Sequence, residues 1–296
     1  MKTKVPHNFG GLPEEFSNYK NSKIVILPIP FDKTSSWIKG ADRGPNAIIE
    51  ASKNMELYDI ETNSEVYKKG IFTLKPLTGA GSKKMVDNAY RQAGKLLDDG
   101  KFVVSLGGEH TVSLGPIKAH AEKFNDMSIL HLDAHSDRRD SYEGDKLSHA
   151  CIMARAGEIL GFKDSRVQGS KTQNIISVGI RSMDSSELKN IKGQKIFYAS
   201  EIYKSKSWIK EAVKKLTRNV YVTIDLDVFD SAIMPSTGTP EPGGLNWYHV
   251  IDLLESVAVN KNIIGFDVVE LCPSQNKAPD FLAAKLIYKL LSLKFR

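Results

Sequence analysis

In the stretch HLDAHSDRRD, residues 131–140, ionisable side chains stand at alternate positions: Asp133, His135 and Asp137. They follow the apolar run MSIL. Two other segments have the same form. SLGGEHT (105–111) runs from an apolar stretch through two glycines to Glu109 and His110, and TIDLDVFD (223–230) carries Asp225 and Asp227 two residues apart. On an extended chain alternate side chains point to one side. Asp133, His135 and Asp137 therefore converge if the extended path persists that far, and Asp225 and Asp227 do likewise.

Four aspartates converging in a semi-buried crevice repel one another and lose hydration. A cation resolves that conflict. With His110 and His135 the set holds four carboxylates and two imidazoles, more than a closed tetrahedral zinc site takes. It suits two divalent ions with mixed oxygen and nitrogen ligation, bridged by carboxylates, and the oxygen-rich donors favour manganese or a similar octahedral ion. Two ions about 3.5–4 Å apart can turn a water into a strong nucleophile at neutral pH. Each motif alone is weak, since Asp pairs commonly cap and turn chains. The weight lies in three such segments occurring together.

Strand-like runs lie at 23–30, 70–74, 101–106, 127–133, 174–180, 195–199, 219–227 and 262–271. They are rich in Ile and Val and mostly continuous, as in strands covered on both faces. Helical patterns fall near 82–99, 112–124, 184–191, 205–217, 246–258 and 279–293, with Asn246 as an N-cap and Pro45 suited to a first helical turn. The alternation predicts a single α/β domain over 1–296 with a mainly parallel sheet of about eight strands. All three acidic segments then end at the carboxyl edge of that sheet, where open α/β sheets place ligands. Long loops at 31–44, 134–147 and 228–245 complete the pattern; two of them follow acidic strand ends.

Composition narrows the function. The net charge of +6 comes from 41 basic and 35 acidic residues, and no basic run exceeds a pair. Scattered lysines give a solvated surface rather than a nucleic-acid footprint. No apolar stretch approaches the roughly 18 residues of a membrane helix. The N-terminus lacks the apolar core of a secretory signal. Two cysteines, Cys151 and Cys272, form no disulfide framework, so a cytoplasmic location is expected.

The segments GGEHT, DAHSD and DLDVFDSAIMPSTGTPEPGG, in this order and spacing, resemble the signatures of the ureohydrolase family of arginases and agmatinases, and PIPFDKTSSWIKGADRGPNAI (28–48) resembles its N-terminal loop. The resemblance covers nearly the whole chain. It implies a three-layer α/β/α fold with an eight-stranded parallel sheet, a dinuclear manganese centre, and hydrolysis of a guanidino group to urea and an amine. By position it implies that His110, Asp133, Asp137 and Asp225 hold one ion and Asp133, His135, Asp225 and Asp227 the other. Asp137 would also aim the nucleophile, Glu270 would hold the guanidinium, His149 would supply a proton to the departing amine, and Thr239 would bond near the metals or substrate. TPEPGG (239–244) and YEGDKLSHACIMARA (142–156) are most like the agmatinase branch. This points to a small cationic substrate, agmatine, giving putrescine and urea. Other guanidines (aminopropylagmatine, guanidinobutyrate, free guanidine), an inactive relative and a dinuclear phosphoesterase are the alternatives. The family implies a homo-oligomer, trimer or hexamer.

Other residues are assigned smaller roles. Asp140, Glu143, Asp145 and Glu241 are candidates to read a distal ammonium. His131 is read as a core or supporting residue, Asp230 as a supporting or turn residue, and Glu109 is left open. Cys151 and Cys272 are read as small buried hydrophobes. His7, His120 and His249 are given no role.

Overall fold

A computed structural model describes residues 5–161, 175–205 and 207–296. Asn174, which opens an expected strand, and Lys206, inside an expected helix, lie outside the described residues. Eight strands, β1 (Ile24–Ile29), β2 (Ile71–Thr73), β3 (Phe102–Gly107), β4 (Met127–Leu132), β5 (Ile175–Ile180), β6 (Lys195–Tyr198), β7 (Asn219–Asp225) and β8 (Asn262–Val269), form one sheet. Its order is β2-β1-β3-β8-β7-β4-β5-β6, and every neighbouring pair is parallel.

The continuous apolar runs are explained by burial on both faces. β1 sends Ile24 and Ile26 into one core and Val25 and Leu27 into the other. The longer helices are α1 (Gly44–Ser52), α2 (Ser82–Asp98), α3 (Leu114–Lys123), α4 (Ile152–Ile159), α5 (Trp208–Lys215), α6 (Trp247–Asn260) and α7 (Ala278–Phe295). Ile48, Trp208, Leu254 and Leu286 place α1, α5, α6 and α7 on the first face. Met85, Ile117 and Ile152 place α2, α3 and α4 on the second. The sheet is thus the middle of three layers, and each large side chain buried in it contributes about 1.5–3 kcal/mol. Asn246 caps α6, its side chain accepting from His249 N at 2.9 Å.

Among the described residues two of the longer helices, α1 and α4, lay outside the sequence patterns. Pro45 does stand in the first turn of a helix, α1, and α4 begins three residues after His149. Both are short, which leaves periodicity little length to register. The pattern at 184–191 is a 3₁₀ turn (Ser185–Glu187) followed by one helical turn (Leu188–Ile191).

Register aligns the site. Leu106 pairs with Val268, Val268 with Ile224, and Ile224 with Leu132, so one row crosses β3, β8, β7 and β4. Every acidic segment leaves the sheet within a few residues of that row, as does Glu270 beyond β8. Among the described residues no helix is long and apolar enough to cross a membrane.

Candidate active site

β4 ends at Leu132, but its path continues. His135 bridges in parallel to Ser182 beyond β5, and the Arg181 and Ser182 amides donate to Ala134 O at 2.8 and 3.1 Å. The extended path does not reach Asp137, whose φ is +53°. A non-glycine residue there costs about 1–2 kcal/mol. A turn, rather than alternation, aims its carboxylate at His110, with Asp137 Oδ2 3.0 Å from His110 Nδ1. β7 behaves similarly. It ends at Asp225, a 3₁₀ turn covers Leu226–Val228, and Asp227 N donates to Asp225 Oδ1 at 2.9 Å. Asp227 then accepts from Ala134 N at 2.9 Å and faces His135 Nδ1 at 2.9 Å.

β3 reaches the site through Gly108, where a Cβ would lie 2.0 Å from Phe31 O, so only glycine fits. His110 follows, and its Nδ1 lies 3.2 Å from Asp133, 3.0 Å from Asp137 and 3.5 Å from Asp225. On the other side of the ring, Nε2 is 3.0 Å from Thr223 Oγ1, which donates its hydrogen to Asp267 at 2.7 Å. Thr223 therefore accepts from Nε2–H, so in the neutral ring, the form that binds a metal, the lone pair is on Nδ1. That buried nitrogen has no well-aligned hydrogen bond although three carboxylates surround it. The neutral ring's Nδ1 with the carboxylates of Asp133 and Asp137 is a donor set for a cation, with Asp225 3.5 Å from the same nitrogen and Thr223–Asp267 as the support that metal-bound imidazoles need. Burial, then Asp227, Asp133 and Glu270, push the Asp225 carboxyl far above its ordinary range. Bound cations reverse that repulsion. A second grouping, Asp133, His135 and Asp227, lies beside the first. The residues present fit divalent metal.

Glu270 also has a left-handed backbone, φ +67°. Its amide donates to Gly108 O at 2.8 Å, and its Oε1 accepts from His110 N at 2.6 Å. The turn brings the carboxylate back over the end of β3, into the same cleft as His149 and Thr239. The cleft has a volume of about 340 Å³, at the small end for ligand sites. Among the described residues seven carboxyl groups line it against one guanidinium, that of Arg139. The lining is acidic in composition despite the protein's positive charge. Burial lowers the proton affinity of His149.

His131 is fully buried, with Nε2 2.7 Å from Asp133 Oδ2 and Nδ1 3.1 Å from Ser177 Oγ. It is close enough to the His110 grouping to count geometrically within it. Of the four acids considered for a distal ammonium, Glu241 lines the cleft and the other three do not. Asp140 pairs with Arg155 at 3.0 Å, Asp145 accepts from Leu147 N at 2.8 Å, and Glu143 sits exposed in a turn. Asp230 is a turn residue, accepting from the amides of Ala232, Gly243 and Gly244. Glu109 is fully buried and holds the loop at 33–35. His120 packs on Tyr221 beneath the sheet. Sequence reasoning missed Thr34, Arg181 and two acids of the cleft wall, Asp184 and Glu187. The signal was available for the last three, in GIRSMDSSE at the end of a strand next to β4.

The model of the arginase family matches residues 22–292. An N(1)-aminopropylagmatine ureohydrolase of Synechocystis is 34% identical, covering 97% of this chain and 95% of its own. An agmatinase of Halalkalibacterium halodurans is 35% identical over 93% of each. The crystal structure of an agmatine ureohydrolase of Thermoplasma volcanium superposes with a TM-score of 0.87 at 30% identity, covering 98% of this chain and 94% of that one. The chain belongs to the arginase family. It is a hydrolase with that family's fold, as its sequence signatures implied.

Proposed function

We propose that this protein hydrolyses the guanidino group of agmatine to putrescine and urea, using two manganese ions. His110, Asp133, Asp137 and Asp225 would hold one ion and Asp133, His135, Asp225 and Asp227 the other. When bound, the ions supply an activated water as nucleophile. The observation that carries the reading is His110 Nδ1 facing the carboxylates of Asp133, Asp137 and Asp225 at the edge of a small acidic cleft.

The chain's own groups do the rest. Glu270 accepts the substrate's N–H groups, since a carboxylate can take two parallel bonds from a guanidinium. Its position at the cluster brings the guanidino carbon close to the metal-binding groups. Asp137 orients the nucleophile, and Thr239 offers a hydroxyl on the cleft wall. His149 gives a proton to the departing nitrogen as the C–N bond breaks. Glu241 reads the distal ammonium. The relatives named for N(1)-aminopropylagmatine favour a second reading, the same hydrolysis on that longer amine.

The test is urea release from a panel of agmatine, aminopropylagmatine, guanidinobutyrate, arginine and guanidine, with metal content measured on the same manganese-loaded sample. Preference for agmatine with close to two ions per chain supports the reading. Preference for aminopropylagmatine moves the substrate. No urea from any of them, with metal bound, rejects it.

A further inference from the structure

His149 is held by a hydrogen-bonded chain that no part of the mechanism above requires. Its ring Nδ1 lies 3.2 Å from Thr34 Oγ1, and its backbone amide donates to the same oxygen at 3.0 Å. Thr34 Oγ1 in turn donates to Glu109 Oε1 at 2.8 Å. Glu109 is fully buried, and its Oε2 accepts the amides of Lys33, Thr34 and Ser35 at 2.7, 2.5 and 3.1 Å. Glu109 is thus the acceptor in all four of these contacts. A hydroxyl has one hydrogen and two lone pairs. Thr34 spends its hydrogen on Glu109, so both lone pairs are left for His149, one for the amide and one for the ring. Thr111 Oγ1, at 3.4 Å from Thr34 Oγ1, and Ser148 Oγ, at 3.3 Å from His149 Nδ1, are the other hydroxyls in reach, and both contacts are longer.

We infer that Thr34, backed by Glu109, is a positioning residue that fixes His149 with its hydrogen on Nδ1 and its Nε2 free to take up a proton and pass it to the departing nitrogen. The inference rests on the proposed role of His149. The orienting group of a catalytic imidazole is commonly a carboxylate bonded to it directly. Here a hydroxyl stands between, and the carboxylate belongs to the residue next to His110. The arrangement also explains why the loop at 31–44 folds over the carboxyl end of β3. Glu109 gathers three consecutive amides of that loop and so presents the Thr34 hydroxyl to His149. Tyr142 packs against the imidazole with the two rings near perpendicular and their centroids 5.5 Å apart.

The experiment is a double-mutant cycle on the manganese-loaded protein, with Thr34→Val, Thr34→Ser, His149→Ala and Thr34→Val/His149→Ala. Urea release is measured alongside metal content and the thermal midpoint. Thr34→Val is expected to lower kcat about 10- to 100-fold with KM within about 2-fold and metal content unchanged, the scale of a disturbed acid–base group. Thr34→Ser, which keeps the hydroxyl, should recover kcat to within about 3-fold. In the His149→Ala background Thr34→Val should cost less than about 2-fold, because Thr34 then has nothing to position. A full additional loss in that background would overturn the inference in favour of a general structural role. Wild-type kcat in Thr34→Val would overturn it too. Undiminished kcat in His149→Ala with Thr34 intact would overturn both this inference and the role of His149, and it is read without any Thr34 variant.

Discussion

The guanidinium of Arg181 donates to the main-chain carbonyl of Asp227 at 2.6 Å. The same side chain also holds the carbonyls of Glu241 at 2.9 Å and Pro242 at 3.1 Å. One planar fork thus ties the turn that carries an acidic cluster residue to the wall of the cleft. Lysine cannot reproduce that geometry. Arg181→Lys is expected to weaken metal binding about 10-fold, in the range for residues that support ligands, and to raise KM for agmatine. Metal titration and steady-state kinetics check both.

Burial first, and then Asp227, Asp133 and Glu270, disfavour the Asp225 carboxylate in the absence of a cation. Asp225→Asn should therefore have effects of opposite sign. In the chelator-treated protein the thermal midpoint should rise by a few degrees, since like-charge repulsion is relieved. In the manganese-loaded protein bound metal should fall and urea release should drop at least about 100-fold. Calorimetry with and without chelator, alongside metal analysis, reads both signs.

Glu241 is partly exposed at the cleft, with Oε1 3.8 Å from His135 Nε2. Solvent screens such a charge, so its contribution is modest. Glu241→Gln is expected to raise KM for agmatine about 3- to 5-fold with little change in kcat. An unchanged KM in steady-state assays removes Glu241 from substrate recognition.

Away from the cleft, Lys289 of α7 is buried against Asp59 at 2.5 Å. Burial pushes the Asp59 carboxyl up, but hydrogen bonds from Lys289 and Thr62 and the ammonium's charge outweigh it and hold the group below its ordinary range. A carboxyl depressed on folding contributes stability that is complete above its unfolded pKa, about 3.9, and lost as pH falls through the folded value. Asp59→Asn should destabilise the fold by about 3 kcal/mol at neutral pH, with the difference from wild type shrinking below about pH 4. Urea unfolding of both proteins at two pH values checks this.

Burial pushes the Cys151 thiol up to about 11 and the Cys272 thiol up to about 12. Neither forms appreciable thiolate at neutral pH. Both should react with iodoacetamide at least about 100-fold more slowly in the native protein than after unfolding, as measured by mass spectrometry.

The strands were legible because parallel strands covered on both faces need unbroken Val and Ile, which few other settings allow. Among the described residues, observed and expected strands differ at each end by no more than about two residues, within the usual uncertainty of boundaries. His110, Asp133, His135, Asp225 and Asp227 were legible as candidates because they lie just past such runs. The reason given for their convergence was only partly right. Extended alternation serves Asp133 and His135. Asp137 and Asp227 arrive through a left-handed residue and a 3₁₀ turn, neither of which has a periodicity to read.

By itself the sequence determined the layer order, the edge of the sheet that carries the chemistry and the residue types gathered there, because strand burial and side-chain charge are local properties written in consecutive residues. The tertiary structure alone decided which atoms face one another. Strand order placed β8 between β3 and β7 and so brought Glu270 onto the amide of His110 across 160 positions of chain. It also set Thr34 between Glu109 and His149, and Arg181 across the turn at 227–229. Contacts at such separation depend on crossovers and loop paths, and no local pattern encodes them.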